Sequence, residues 1–475
     1  MTANRPPRPV PNWRAKMFTL SDIAAACDGR IIGFPEGEVG AISTDSRSVA
    51  AGELFVPLRG EHFDGHDYIP AVADQGIEVV LAEESWLKTH TLPEALTCIA
   101  VQDTLQALGD VAASYRRRYD IPVVGITGSN GKTTCKEMLA TILDQIGPGL
   151  KTAGNLNNLI GLPQMIFRLR PEHGWAVLEM GMSEPGEIDR LAEIAAPQVG
   201  VVLNAFPAHL ESMGSVENVA LAKGELLQRL APGGCAVINA DDPLIACQPS
   251  HEGVRRITFG LGQADVRASS VLSRGISGQS FTLHIGELQQ HVNLAAFGRH
   301  NIYNALAAAA TAHALGITPE IIANGLGLFR PYDKRFKLEN IDGILLIDDS
   351  YNANPASVGA ALATLADLKG DKNAFVALGD MLELGGNEAE LHRMVGVQAA
   401  QVADRLYLYG PLSAYSAEGA INAGMPADAI IQGLSHREIA ADILMKAANG
   451  DFVLLKGSRG MQMEKIVDNI RATLL

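Results

Sequence analysis

Cysteine is scarce in this chain of 475 residues: there are five, Cys27, Cys98, Cys135, Cys235 and Cys247, odd in number and widely scattered. They build neither a disulfide framework nor a paired metal-ligand spacing, which points to a reducing cytoplasm. Positive charge is also in deficit, with 38 Lys and Arg against 53 Asp and Glu and a net charge of −15. A nucleic-acid binder normally shows a basic face, so the balance argues against that class. An acidic protein that handles anionic nucleotides has to concentrate its cations locally. No apolar run reaches the length of a membrane span, and no membrane insertion is expected. The opening MTANRPPRPVPNWRAK is proline-rich and lacks the apolar centre of a signal peptide. Residues 1–16 are expected to form a disordered arm, with Met17 as an alternative start. No internal repeat is present.

What remains is ordinary globular composition, 47% hydrophobic and 19% charged, on a chain long enough for about three domains. Its most informative stretch is IPVVGITGSNGKTT, residues 121–134. Val123 to Thr127 is a β-branched apolar run that suits a buried strand. Gly128-Ser129-Asn130-Gly131 breaks it, and Lys132-Thr133-Thr134 opens a run of helix formers. Strand, glycine-rich turn and helix are the context a phosphate cradle requires, because backbone N–H groups and the helix N-terminus both face the anion. Lys132 would reach the β- and γ-phosphates, and the Thr133 hydroxyl would hold Mg²⁺. The generic spacing asks for a glycine at 126, where Ile126 stands; an ordinary strand–helix turn is the alternative reading.

The surrounding pattern is α/β in three parts, with boundaries expected at 17–119, 120–328 and 329–475. In the first, Phe18 to Cys27 reads as a helix with Ser21 as N-cap. Short strands over Ile42–Arg47 and Gly52–Gly60 end in polar or basic residues. Ser46 and Arg47 could bind a phosphate or a base edge there, or form a plain surface turn. His62-Phe63-Asp64-Gly65-His66-Asp67 has metal-ligand residue types, yet in a turn-like run without a second cluster. In the second part, strands at Trp175–Met180, Gln198–Ala205 and Ala236–Asn239 alternate with helices, which predicts a mainly parallel sheet of the P-loop ATPase type. Residues 264–297 read as a β-hairpin insert, followed by an alanine-rich helix over Ala305–Leu315. After a linker at Phe329–Lys337, the apolar runs ILLID, NAFVALG, RLYLYG, DAIIQG and DFVLLKG predict a C-terminal, Rossmann-like doubly wound domain, although no G-x-G-x-x-G occurs.

Ligands bind at the carboxyl ends of strands in such sheets. Glu179 ends one and is placed to ligate Mg²⁺, as a Walker-B-type acid does; a cap or ion-pair role is the alternative. His209 follows the next strand and could reach a second metal or be structural. Lys223 lies on a helix, where a solvated charge is the plain reading. Asn301 and Asn304 share a helix face and could read an adenine edge. Arg335 in the linker could reach the γ-phosphate, and Asp349 ends the first strand of the last domain.

Taken in order, ITGSNGKTT, the Glu179 strand, AHLE, HNIYNALAA and the Asp349 strand resemble the Mur ligase family, ATP-dependent amide-bond ligases of peptidoglycan synthesis. Further stretches narrow the resemblance: Thr44-Asp45-Ser46-Arg47, LFVPLRGEHFDGHDYI, GNLNN, AKGE, DDSYNANP, LGDMLELG and KGSRGMQMEK. They are similar to members that join D-alanyl-D-alanine to UDP-N-acetylmuramoyl-tripeptide through an acyl phosphate, releasing ADP and phosphate. The resemblance implies ATP and Mg²⁺, with Gly128, Ser129, Asn130, Gly131, Lys132, Thr133 and Thr134 around the phosphates. It implies Thr133, Glu179, His209 and Lys223, the last as a carbamate, around the metals. Asn301, Asn304, Arg335 and Asp349 would complete the ATP site. Ser46 and Arg47 would hold the UDP end and Asn157 and Asn158 the muramoyl-peptide, while Lys456, Ser458 and Arg459 would meet the dipeptide or close the site. A cytoplasmic monomer is expected. Family members often have glycine before the linker arginine, where this chain has Lys334. A neighbouring ligase that adds the third amino acid carries an Asp-Asn-Pro-Arg signature absent here, and folylpolyglutamate synthase lacks such a first domain. From another class, a non-ligating P-loop switch would leave Glu179, His209, Lys223 and the C-terminal domain unexplained.

Overall fold

Strands that are apolar on both faces need cover on both sides, and here they assemble into three parallel-rich sheets. The protein is described by a computed structural model over residues 18–207 and 210–474. The N-terminal arm, Met17 and His209 lie outside the described residues. The chain divides into two compact units. The first holds the described residues through Asp120 together with Thr152–Pro171 and Glu193–Ala196, and the second holds the remainder.

In the first unit a five-stranded sheet runs in the order Arg30–Ile32, Thr97–Val101, Val79–Glu83, Glu53–Phe55, Ala41–Ser43. Only the first of these is antiparallel to its neighbour. Phe55, Ile69, Val80, Trp86 and Cys98 fill one face. The expected opening helix starts with a two-residue strand instead: Phe18–Thr19 pairs with Glu38–Val39. The helix is Leu20–Ala26, capped by Thr19, whose hydroxyl accepts from Asp22 N–H at 3.0 Å. Thr19 outcompetes Ser21 because the strand pairing holds it in the extended conformation that an N-cap needs.

The second unit carries two sheets. The larger has nine strands, in the order Leu288–Leu294, Gln279–Ile285, Val266–Ser273, Arg255–Gly260, Cys235–Asn239, Val199–Val202, Val123–Thr127, Ala176–Glu179, Leu150–Lys151. Residues 264–297 thus form no separate insert. Val266 pairs in parallel with Phe259, and two antiparallel strands then extend the same sheet. The alanine-rich helix is longer than expected, Arg299–Ala314. Its small side chains let it pack closely against the helix Lys132–Leu143 in the main core.

The smaller sheet runs Lys337–Ile341, Ile344–Asp349, Phe452–Lys456, Ala374–Gly379, Arg405–Tyr409, Ile430–Gln432. Successive residues feed two cores: Phe452 and Leu454 pack on one face, Val453 and Leu455 on the other. Its first strand was not among the five expected. It forms a hairpin with Ile344–Asp349 through Asp342-Gly343, both at positive φ, which is the turn chemistry that matches strand twist. Among the described residues no helix is long and apolar enough to cross a membrane.

Candidate active site

The strand Val123–Thr127 is buried throughout and lies between Ala176–Glu179 and Val199–Val202, so three carboxyl ends open side by side. Ile126 is fully buried within this strand, and the turn begins two residues later, so position 126 needs no glycine. Gly131 does need to be one. It caps the helix Lys132–Leu143 at φ 86°, and a Cβ there would fall inside the carboxamide of Asn304. Asn204, which the sequence reading did not single out, clamps the loop. Its Oδ1 accepts from Asn130 N–H at 2.9 Å, its Nδ2 donates to Asn130 O at 3.1 Å, and its carbonyl accepts from Ser129 N–H at 3.1 Å. The first-turn N–H groups of the helix are left to face an anion. Lys132 folds back to donate to Gly128 O at 2.6 Å. Burial holds its ammonium down to about 8, against the pull of Glu179 and with Arg335 adding to the depression.

Glu179 is buried, and its two oxygens are divided. One accepts from the Thr133 hydroxyl at 3.3 Å, and the other faces Lys136 Nζ at 3.1 Å. Lys136, one helical turn past Lys132, also pairs with Glu137 at 3.0 Å; no local sequence pattern singles it out. A carboxylate this deep has to be paired, and Lys136 supplies the partner that holds it in place. Magnesium takes one or two protein oxygens and fills its shell with phosphate and water. The Thr133 hydroxyl and the Glu179 carboxylate fit that demand. No cluster of three or more His, Cys, Asp or Glu forms an all-protein cage among the described residues. Lys223, on the helix Val216–Gln228, is 3% exposed and has no hydrogen bond or ion pair among the described residues. Burial, reinforced by the charge of Lys132, pushes its amine well below the usual lysine range.

The linker and the smaller sheet bring Arg335 to this loop. Its guanidinium lies over the Tyr351 ring at 3.8 Å and donates to the Thr133 hydroxyl at 3.4 Å. The backbone gets there through two left-handed residues, Lys334 at φ 61° and Phe336 at φ 50°. That conformation favours glycine, the residue expected here from the family resemblance, yet Lys334 adopts it. Here the Lys334 ammonium pairs with Glu464 at 3.1 Å. Asp349 accepts from Phe336 N–H at 3.1 Å and from Lys456 Nζ at 2.6 Å, and Lys456 also donates to Asn352 O at 3.0 Å. Ser458 accepts from Leu382 N–H at 2.9 Å and donates to Ala353 O at 3.3 Å. Lys456 and Ser458 are therefore buried and engaged with protein, whereas Arg459, beside Glu464, is the exposed member of that trio.

A small pocket beside the loop is lined by Phe297, Asn301, Phe329, Tyr332, Arg335 and Phe336, so its walls are largely aromatic. Asn301 faces it, while Asn304 sits against Gly131. Asn304 Nδ2 donates to Asn301 Oδ1 at 3.0 Å, and Asn301 Nδ2 donates to Phe297 O at 2.8 Å. His300 Nε2 lies 3.1 Å from the same Nδ2. Burial lowers its imidazole to about 4, with Asp349 pulling upward and Lys456 downward.

In the first unit, Asp45 grips Arg47 in a two-pronged ion pair, 2.8 Å on each prong. Ser46 lies between them in the turn that follows the strand Ala41–Ser43, not on a strand running through Arg47. Asn158 lies in the turn before the helix Gly161–Ile166, its Oδ1 accepting from Gly161 N–H at 2.8 Å, and Asn157 precedes it. Gln164 on that helix donates to Thr44 at 2.9 Å, which joins the two stretches. His66 is buried, paired with Asp64 and accepting from Glu83 N–H at 3.1 Å, a structural cluster.

Residues 38–116 match the Mur ligase family catalytic domain, 126–312 the Mur ligase middle domain and 334–459 the Mur ligase glutamate ligase domain. The chain is 35% identical over 460 residues to the UDP-N-acetylmuramoyl-tripeptide--D-alanyl-D-alanine ligase of Bacillus subtilis, covering 95% of this chain and 98% of that protein. A crystal structure of MurF from Acinetobacter baumannii superposes with a TM-score of 0.86 at 31% identity, covering 96% of this chain and 99% of that one. MurF ligase from Thermotoga maritima, solved in complex with ADP, gives 0.81 at 27% identity, with 91% and 97% covered. Since the likeness runs through all three sheets and nearly the whole length, the chain belongs to the Mur ligase family.

Proposed function

We propose that this chain joins D-alanyl-D-alanine to UDP-N-acetylmuramoyl-tripeptide at the expense of ATP, forming the pentapeptide precursor of peptidoglycan. The observation that carries the reading is the convergence of Lys132, Thr133, Glu179 and Arg335 at one phosphate loop, in a chain similar over its full length to ligases of that name. The Asp349 and Lys456 pair stands beside the linker that delivers Arg335.

A carboxylate is a poor acylating agent, so the terminal carboxylate of the tripeptide first takes the γ-phosphoryl group, and ADP leaves. Lys132 and Arg335 neutralise the charge that shifts to the leaving oxygens. Magnesium, when bound, would supply further charge neutralisation, with Thr133 and Glu179 holding one ion and His209 and a carbamylated Lys223 reaching a second. The low basicity of buried Lys223 supports the carbamate, since only a neutral amine adds CO₂. The dipeptide amine then attacks the acyl carbon, the C–N bond forms, and phosphate departs with the C–O bonding pair while the amine loses its proton. Asn301 and the aromatic pocket take the adenine, and Asn304 supports the turn at Gly131. Ser46, Arg47, Asn157 and Asn158, together in the first unit, take the UDP-muramoyl end. Of the three C-terminal residues, Arg459 has the exposure to meet the dipeptide carboxylate. Residues 17–119, joined by Asn157 and Asn158, would serve the UDP-substrate, the rest of 120–328 ATP, and 329–475 ligation.

The test is ADP release with ATP and the UDP-tripeptide. D-alanyl-D-alanine should stimulate it, and single amino acids should not. Stimulation by lysine or diaminopimelate with the UDP-dipeptide would move the assignment to the neighbouring ligase.

A further inference from the structure

The phosphate loop is held from a third side, by a residue that none of the roles above uses. Asn130 has its backbone clamped by Asn204, and its side chain points off the loop. There it meets Asn354 in a reciprocal amide pair. Asn354 Nδ2 donates to Asn130 Oδ1 at 2.8 Å, and Asn130 Nδ2 donates to Asn354 Oδ1 at 3.2 Å. Asn354 is itself fixed, as N-cap of the helix Pro355–Lys369. Its Oδ1 accepts from Ser357 N–H at 2.9 Å, and its own N–H donates to the Ser357 hydroxyl at 3.0 Å. Its carboxamide orientation is therefore settled twice over. The oxygen serves both the cap and the loop, and the nitrogen is reserved for Asn130.

Residues 349–354 reach the loop region twice, once directly through Asn354 and once through Arg335. Tyr351 carries the Arg335 guanidinium to Thr133, and Asn354 grips Asn130. Two contacts fix an orientation that one alone would leave free to swivel. From this geometry we infer that Asn354 is a positioning residue for phosphoryl transfer. It sets the register of the smaller sheet over the phosphate loop, so that Arg335 is aimed at the transferred group. The inference rests on the ligase reading for its catalytic consequence, though not for the contact itself.

Two substitutions separate this role from helix capping. In Asn354→Asp the carboxylate still accepts from Ser357 N–H, and a negative charge at a helix N-terminus is favourable. It loses the donor to Asn130 and faces that oxygen with a like one. In Asn354→Ser the cap survives without added charge, but the side chain is too short to reach Asn130. Both variants should keep the thermal midpoint of the parent, lower kcat by tenfold or more, and leave the ADP dissociation constant of Asn354→Ser within threefold. Hydrogen exchange of the loop 128–131 should rise in both. Parent-like kcat and exchange in Asn354→Ser would overturn the inference, as would a loss of activity that tracks a lowered melting point. If the parent itself ligates none of the named substrates, the ligase reading fails. The exchange of the loop, with its dependence on Asn354, still decides the contact.

Discussion

Gly131→Ala is the sharpest single perturbation of the phosphate loop. The residue sits at φ 86°, a region that costs an L-residue about 1–2 kcal/mol. The added methyl would also enter the Asn304 carboxamide, which would have to swing away and give up its 3.0 Å bond to Asn301. Leaving that buried pair unmade costs about 1–3 kcal/mol. Together these make about 2–5 kcal/mol, which at 1.4 kcal/mol per decade is on the order of 30- to 3,000-fold in nucleotide affinity if the loop is rebuilt on binding. The assay is ADP titration by calorimetry on Gly131→Ala, Asn304→Ala and the double variant. Once Asn304 is truncated, the methyl should cost only the backbone strain, so the two single losses should exceed the double loss by about 1 kcal/mol or more. Parent-like affinity in Gly131→Ala, or strictly additive losses, would refute the reasoning.

Lys223→Ala should be nearly inactive and partly restored by a short carboxylic acid, whereas Lys223→Arg, which cannot be carbamylated, should stay inactive. Labelled bicarbonate should give a carbamate carbon resonance in the parent that Lys223→Ala lacks, and an active arginine variant would reduce Lys223 to a plain cation. His300 has its imidazole lowered from 6.5 to about 4. As pH falls below 6.5 the unfolded chain takes up a proton that the folded one refuses, so stability is fully present above that pH and is lost towards pH 4. At pH 5.5 the loss is about 1.4 kcal/mol. Denaturant titrations at pH 7.5 and 5.5 should show it in the parent and much less in His300→Gln; equal losses would contradict the assignment.

The strand, turn and helix at residues 123–143 were legible because β-branched residues, two glycines and a run of helix formers say the same thing at each level. The later parallel strands were legible for a like reason, as short apolar runs bounded by Gly and Asp. The strand Lys337–Ile341 was not, since its alternation is polar and half-buried; the Asp342-Gly343 turn was the signal that could have exposed it. Residues 264–297 showed their hairpins through Gly275, Gly278 and Gly286, but whether they join the main sheet depends on a short parallel ladder of two pairs, Phe259 with Val266 and Gly260 with Arg267. Asn204, Lys136 and Asn354 were hidden for a different reason. Each acts through a partner brought near by the fold, and no local pattern marks an asparagine that clamps a loop or a lysine that pairs with a buried carboxylate. The local geometry around Arg335 was likewise open until the left-handed φ of Lys334 showed how a non-glycine residue makes that turn.

The most direct measurement is to follow the oxygens. With UDP-tripeptide labelled by ¹⁸O in its terminal carboxylate, together with ATP and D-alanyl-D-alanine, one labelled oxygen should leave in inorganic phosphate and the other remain in the new amide. ADP should form in equal amount. Label in AMP, or unlabelled phosphate accompanying ADP without a pentapeptide product, would contradict the account.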